Sequence, residues 1–250
     1  MLKNGIKEIV ITGIHIASYG KDFKYEITLI DLLEKLNEIN GIERIRLGSL
    51  EPRIITEEFV ERLKKLNKIC NHFHLSLQSG CNETLKRMNR KYTIEEFSDC
   101  VDLLRKNFNE VLLTADVIVG FPGETEEEFK KTYEFLNKIK FYKIHVFKYS
   151  PRKGTKAALM EEQIDGNKKE ERSKKILRLS NYYQKKYNEE KINTIQKVLI
   201  EEKEDEYYKG HTTNYILVKV KTEQKIENEI IDVYIEKQLN DELIGDIHIL

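Results

Sequence analysis

Cysteine, net charge and long apolar runs are scarce in this sequence, and each scarcity closes off a class of function. The three cysteines, Cys70, Cys81 and Cys100, are spaced too widely and irregularly for a zinc knuckle or a disulfide framework and read as ordinary thiols. The 43 Lys and Arg balance the 43 Asp and Glu, so no global field draws the chain to nucleic acid or membrane. Any such binding must rest on local charge. No apolar stretch reaches the roughly 20 residues that span a bilayer. The N-terminal residues carry no secretory signal pattern, so a reducing, cytoplasmic setting without membrane contact is expected. With 250 residues there is room for one large domain and a small appendage.

The most informative stretch present is residues 113–129, LTADVIVGFPGETEEEF. Val117, Ile118 and Val119 form a β-branched run of the kind found in strands covered on both faces of a parallel sheet. Gly120, Pro122 and Gly123 stop it. Thr125 followed by Glu128 is a capping box for a helix N-terminus, and Phe129, Tyr133 and Leu136 supply that helix's buried stripe. The glycines leave room at the carboxyl end of the strand for a flat ligand against the backbone, where α/β sheets keep their ligands. An ordinary βα turn fits the same residues. Glu124 reads as a stabiliser of the turn or helix start rather than a general base.

The same alternation runs through most of the chain. Residues 2–5 resemble the last turn of a helix closed by Gly5, so the N-terminus reads as severed and a strand is implied upstream. Strands are expected over residues 7–12, 45–48, 72–76, 117–119 and 142–149. Helices are expected over 28–40, from Thr56 to about 68, and over 93–106, with a basic segment, LKRMNRKY, before the last of these. Alternating strands and helices imply parallel pairing, which gathers the polar loops after the strands on one rim. Residues 167–190 place Ile176, Leu177, Leu179, Tyr183 and Tyr187 at broadly helical spacing, an amphipathic connector. A small β domain is expected beyond it, with strands at 196–201, 214–220, 230–235 and 244–249. The expected division is therefore 1–166, 167–190 and 191–250. His72 and His74 share a strand face, but with no third ligand beside them no metal site is expected.

Five segments in this order, TGIHIASYG, LGSLEPR, HFHLSLQSGCNETLKRMNRKYT, ADVIVGFPGETEEEF and HVFKYSPRKGTKA, closely resemble the radical SAM methylthiotransferases. The C-terminal region resembles their TRAM domain, so the resemblance covers essentially the whole chain. The HFHLSLQSG and YSPRKGTKA versions look most like the branch acting on N6-threonylcarbamoyladenosine in tRNA. The isopentenyl-adenosine branch is the alternative. The fold implied is α/β, a partial radical SAM (βα)6 barrel lacking its first βα unit, followed by a small all-β TRAM-like domain.

The resemblance implies S-adenosylmethionine and, in the parent enzyme, two 4Fe–4S clusters. Reductive cleavage of the cofactor gives a 5′-deoxyadenosyl radical that acts at adenine C2, and a second cluster delivers methylated sulfur. The family's cluster-binding cysteine motifs are not matched by Cys70, Cys81 or Cys100. No cluster ligand and no catalytic residue is therefore assigned, and this chain alone is not expected to turn over. For the cofactor, the resemblance points to Thr12, Gly13 and His15 at the methionine amino group. It points to Ser76 and Gln78 for ribose or carboxylate bonds, Arg90 for the carboxylate, and Val117, Ile118, Val119 and Gly120 against the adenine.

For tRNA, the local signal is Lys86, Arg87 and Lys91 after one strand and Arg152, Lys153 and Lys156 after another, a basic lip suited to phosphates. Residues 190–250 hold eight Lys and fourteen Asp or Glu, so an RNA grip there would use shape or uneven charge. Tyr215 is the candidate contact, with Tyr207, Tyr208, His211 and Asn214 beside it. Sulfur and electron donors are not legible. Two other classes stay open, a noncatalytic module for S-adenosylmethionine or tRNA and an unrelated α/β enzyme using residues 120–123 as a phosphate loop. The strand at 7–12, lacking a neighbour, is expected to favour self-association through its edge.

Overall fold

The computed structural model describes residues 5–13, 16–24 and 27–248. Five strands, β1 (Glu8–Ile11), β2 (Arg44–Leu50), β3 (Ile69–Gln78), β4 (Leu112–Val119) and β5 (Lys143–Lys148), lie side by side in chain order. All four pairings are parallel. Parallel neighbours need long crossovers, and these carry α1 (Leu29–Asn37), α2 (Glu57–Leu63), α3 (Asn82–Arg87), α4 (Ile94–Asn107) and α5 (Glu126–Ile139). Thr93 with Glu96 and Thr125 with Glu128 close reciprocal capping boxes at the starts of α4 and α5.

Strand alternation decides which side chains meet the helices. Leu47, Phe73, Leu75, Leu77, Ala115, Val117 and Val119 face outward into the core shared with Phe97, Val101 and Leu104 of α4 and Leu136 of α5. Each large side chain buried there contributes about 1.5–3 kcal/mol. The opposite faces present Glu8, Arg46, His72, His74, Thr114, Asp116, His145 and Phe147 to one common hollow. A closed, fully packed barrel would fill that space with apolar layers. Here the sheet is open, with β1 and β5 at its edges, and the inner face is polar. This is the partial barrel that the α/β resemblance implied.

The long helix α6 (Gly166–Glu189) follows and packs on β5, where Ser180 Oγ accepts the Ile144 amide at 2.9 Å. Beyond it β6 (Ile195–Glu204), β7 (Tyr207–Thr212), β8 (Leu217–Lys221), β9 (Ile230–Leu239) and β10 (Glu242–Ile247) close a small barrel in the order β10-β8-β7-β6-β9. Its core of Val198, Ile200, Val218, Val220, Val233, Ile235 and Leu243 also takes in Leu112 and Tyr142, from the N-terminal ends of the sheet strands. Arg44 and Arg46 donate from β2 to the carbonyls of Lys197, His211, Thr212 and Thr213. The barrel is thus seated beneath the sheet by apolar continuity and two buried guanidinium groups.

Three elements differ from the sequence expectation. The strand β7 was not anticipated, because its inward positions are Tyr208, Gly210 and Thr212 and the segment reads as polar. The strand expected at 214–220 begins only at Leu217. Leading into the basic segment, α3 is an unexpected short helix whose six residues are too few to show a periodicity.

Candidate active site on the inner face of the sheet

Register stacks the inner side chains in layers. Thr114 of β4 lies beside His74 of β3 and Lys143 of β5, Asp116 beside His145, and Ile118 beside Phe147. Two adjoining cavities follow. The upper one, about 440 Å³, opens at the C-terminal ends of the strands and is lined by Gln78, Asp116, Ile118, Phe147, Tyr149 and Arg152 among others. A lower one, about 500 Å³, includes Thr12, Arg46, His72, His74, Thr114, His145 and Tyr215, and shares Asp116 and Phe147 with the first. Volumes of this size hold a nucleoside-sized ligand.

Of the residues expected to hold the cofactor, Gln78 and Ile118 line the upper cavity. Gln78 ends β3 in the left-handed region at φ 65 while nearly buried. That conformation costs a non-glycine residue on the order of 1–3 kcal/mol and collects at functional sites. The strand end is pinned from outside, where the Tyr92 hydroxyl donates to the carbonyls of Ser76 (2.7 Å) and Leu77 (2.9 Å). Ser76 shares the inner face, half-buried. Thr12 borders the lower cavity, Gly13 is exposed just past β1, and His15 lies outside the described residues.

Arg90 lies elsewhere. It lines a separate polar cavity at the rim with Lys21, Glu51, Arg53, Lys91 and Tyr92.

Three expectations on the glycine stretch need correction. Val117 and Val119 are fully buried among the helices, because alternation turns them away from the hollow and leaves Ile118 as the side chain that faces it. Room above Gly120 is also taken. A Cβ there would come within 2.3 Å of Lys169 Cγ, so the bare glycine, at φ 69, accommodates the stem of an α6 lysine. The loop is instead held from behind. Glu124 Oε2 accepts the Gly120 amide at 2.6 Å and Arg172 Nη1 at 2.7 Å, in an ion pair removed from water. Burial pushes the Glu124 carboxyl up. Glu124 therefore serves the turn, as the sequence suggested.

Among the basic residues, Lys86, Lys91, Arg152, Lys153 and Lys156 are exposed, and Arg152 borders the upper cavity. Arg87 is engaged. It forks onto Glu128 at 2.8 and 2.5 Å and donates to the Pro122 carbonyl at 3.3 Å, tying α3 to the start of α5 rather than offering its charge to a phosphate. Tyr215 lies at the opposite end from this rim. Its ring stacks on both His72 and His211 with centroids 4.6 Å away, and Arg46 sits over it, so it serves the contact between barrel and sheet. Sequence reasoning missed Asp116, His145 and Phe147. The signal available was the charged Asp116 two residues before Ile118, which marks the inward face of an otherwise apolar strand.

Residues 1–136 match the radical SAM superfamily. The chain belongs to that superfamily. It is 44% identical over 239 residues to the threonylcarbamoyladenosine tRNA methylthiotransferase MtaB of Bacillus subtilis, covering 93% of this chain and 53% of that protein. It is 38% identical over 250 residues to the tRNA-2-methylthio-N(6)-dimethylallyladenosine synthase of Natranaerobius thermophilus, covering 99% of this chain and 55% of that protein. The chain spans about half the length of these curated relatives. Among solved structures, the Elp3 of Methanocaldococcus infernus with an N-terminal deletion matches with a TM-score of 0.50 at 17% identity, over 70% of this chain and 44% of that one. That likeness concerns the fold alone.

Membership in the radical SAM superfamily implies S-adenosylmethionine and a 4Fe–4S cluster. The described residues do not fit the cluster, which is held by thiolates in one coordination sphere. Burial pushes the Cys70 thiol up to about 12 and the Cys100 thiol up to about 11. Cys70 contacts Glu8, Cys81 donates to Glu83, and Cys100 to the Pro52 carbonyl. Among the described residues no group of three or more His, Cys, Asp or Glu is arranged to hold a metal ion. No described helix is long and apolar enough to cross a membrane.

Proposed function

We propose that this radical SAM chain is the sheet-and-barrel portion of a tRNA methylthiotransferase acting at C2 of N6-threonylcarbamoyladenosine beside the anticodon. The observation that carries this is the open, polar inner face with two adjoining nucleoside-sized cavities, in a chain 44% identical to a relative named for that nucleoside. In the upper cavity Ile118 would lie against the adenine, with Gln78 and Ser76 supplying hydrogen bonds. Thr12 and Gly13, past the end of β1, would serve the methionine end from the rim, whereas Arg90, in its separate cavity, is given no part. When bound, S-adenosylmethionine supplies methyl and adenosyl groups; the protein's share is orientation and exclusion of water. No step is assigned to a cluster, since the thiols present do not fit one.

The exposed Lys86, Lys91, Arg152, Lys153 and Lys156 would meet phosphates of tRNA. The C-terminal barrel takes the place of the TRAM domain in this reading, seated against the sheet by Arg44 and Arg46. The separate, protonated thiols favour a second reading for the chain on its own, a noncatalytic module for S-adenosylmethionine and tRNA. The test is nucleoside analysis of tRNA from cells in which the coding sequence of this chain is deleted. Loss of the methylthio group from N6-threonylcarbamoyladenosine supports the assignment. Loss from the isopentenyl nucleoside moves it to the other branch, and unchanged tRNA contradicts both.

A further inference from the structure

The lower cavity is left over by the cofactor reading, and a chain of hydrogen bonds runs through it. His74 Nε2 lies 3.2 Å from Asp116 Oδ2, and His74 Nδ1 lies 2.8 Å from Thr114 Oγ1. His72 Nε2 lies 3.0 Å from the same hydroxyl oxygen. Asp116 accepts from His74 through Nε2, and the Thr114 hydroxyl lies between His74 Nδ1 and His72 Nε2. His72 Nδ1 is buried without a partner among the described residues. Burial keeps His72 neutral. The chain fixes the orientation of Asp116 through one oxygen while the residue borders both cavities.

Two neighbours complete the arrangement. His145 is paired in register with Asp116, and burial lowers its basicity, leaving one N–H donor and one acceptor on its ring. Phe147 stands 52% exposed, with its ring bordering both cavities, although it is a large apolar side chain on an inward position. An apolar plate beside an acceptor and a donor matches the edge of an aminopurine, whose exocyclic N–H adjoins a ring-nitrogen acceptor. Asn and Gln read adenine by the same complementarity.

Resting on the tRNA reading above, we propose that Phe147, Asp116 and His145 form the seat of the target purine of the RNA, below the cofactor. The ring stacks on Phe147, the exocyclic N–H donates to Asp116, and the adjoining ring nitrogen accepts from His145. An N6-substituted adenine keeps one such N–H, so the seat admits it. The adenine of S-adenosylmethionine has the same chemistry, and the test separates the two sources.

The full chain is titrated by fluorescence anisotropy with a stem–loop RNA bearing one unpaired loop adenine, and with a twin carrying purine, which lacks the amine, at that position. Wild type is expected to prefer the adenine hairpin by about tenfold, and Asp116→Asn to erase that preference. Phe147→Ala weakens both hairpins by about fivefold or more, the range of base–aromatic stacking. Because Phe147 is half exposed, its loss leaves folding intact even where Asp116→Asn does not. Because Asp116 and Phe147 border both cavities, S-adenosylmethionine is titrated beside each variant by calorimetry, and hairpin affinity is expected to fall by the larger factor. A preference that survives Asp116→Asn, or hairpin affinity that Phe147→Ala leaves unchanged, overturns the seat and leaves the tRNA reading standing. Loss of S-adenosylmethionine affinity with hairpin binding intact assigns the ring to the cofactor and also overturns it. A wild-type chain that binds neither hairpin removes the tRNA reading for this chain, and the seat with it.

Discussion

Replacing Arg172 by Met removes one half of an ion pair whose side chains are 2% and 1% exposed, and the structure predicts both the size and the pH dependence of the loss. Glu124 would lose the Arg172 hydrogen bonds to its carboxylate and its carbonyl, keeping only the Gly120 amide on Oε2. The bond to Glu126 matters less, since that carboxylate is exposed. Stranding one buried charge costs about 3–5 kcal/mol. Glu124 can escape by taking a proton, and burial already raises its carboxyl above the ordinary 4.5. A carboxyl raised in the folded state favours folding at low pH and loses that advantage as pH rises through its folded value. The cost of Arg172→Met should therefore be small near pH 5 and grow toward pH 8, by at most about 1.4 kcal/mol per unit. Glu124→Gln in the same background removes the stranded charge and should flatten the pH dependence. Urea unfolding followed by circular dichroism suits a chain with no tryptophan. A cost below about 1 kcal/mol at pH 8, or one constant from pH 5 to 8, would refute the reasoning.

Other consequences are independent of that pair. His72 is held below its ordinary 6.5 by burial, so an unfolded chain takes up a proton that the folded one refuses. Its contribution is whole above pH 6.5 and is lost below it, and His72→Gln should remove up to about 1.4 kcal/mol per pH unit from the acid slope of stability. Arg152→Ala should weaken RNA binding and lower the salt slope by about one. Arg87→Ala should mainly destabilise, most clearly at neutral pH, because it frees a carboxylate of Glu128 that the Arg87 hydrogen bonds hold low. That contribution is present above about pH 4.5 and lost below it, and a hairpin titration with a urea melt distinguishes the two arginines. The edge strand β1 exposes Val10, so Val10→Lys should reduce any self-association seen by sedimentation at high concentration; an unchanged distribution of associated species excludes this edge as the contact.

What could be read beforehand was what local chemistry determines. The capping box at Thr125, the β-branched run at 117–119 and the glycines after it placed strands, helices and rim. Three adjacent β-branched residues carry no polarity difference among themselves, so their facing hung on Asp116 alone, two residues before Ile118, and register puts Ile118 beside Phe147 on that face. Long-range partners were equally hidden. Nothing near Gly120 announces that Lys169 fills the space above it, nor does the basic run around Arg87 reveal Glu128 as its partner. Tyr215 was the candidate RNA contact, and although it stays partly exposed its neighbours His72 and Arg46 come from the sheet. In each case a residue distant in sequence decided the outcome.

The central claim is that the upper cavity, at the C-terminal ends of β3, β4 and β5, is where the adenosyl group binds. Calorimetric titration of S-adenosylmethionine into the full chain, beside an Ile118→Asp variant, tests it most directly. Saturable binding that Ile118→Asp abolishes, while Val119→Ile leaves it intact, is the predicted result. Binding that survives Ile118→Asp, or no binding to the wild-type chain, would contradict it.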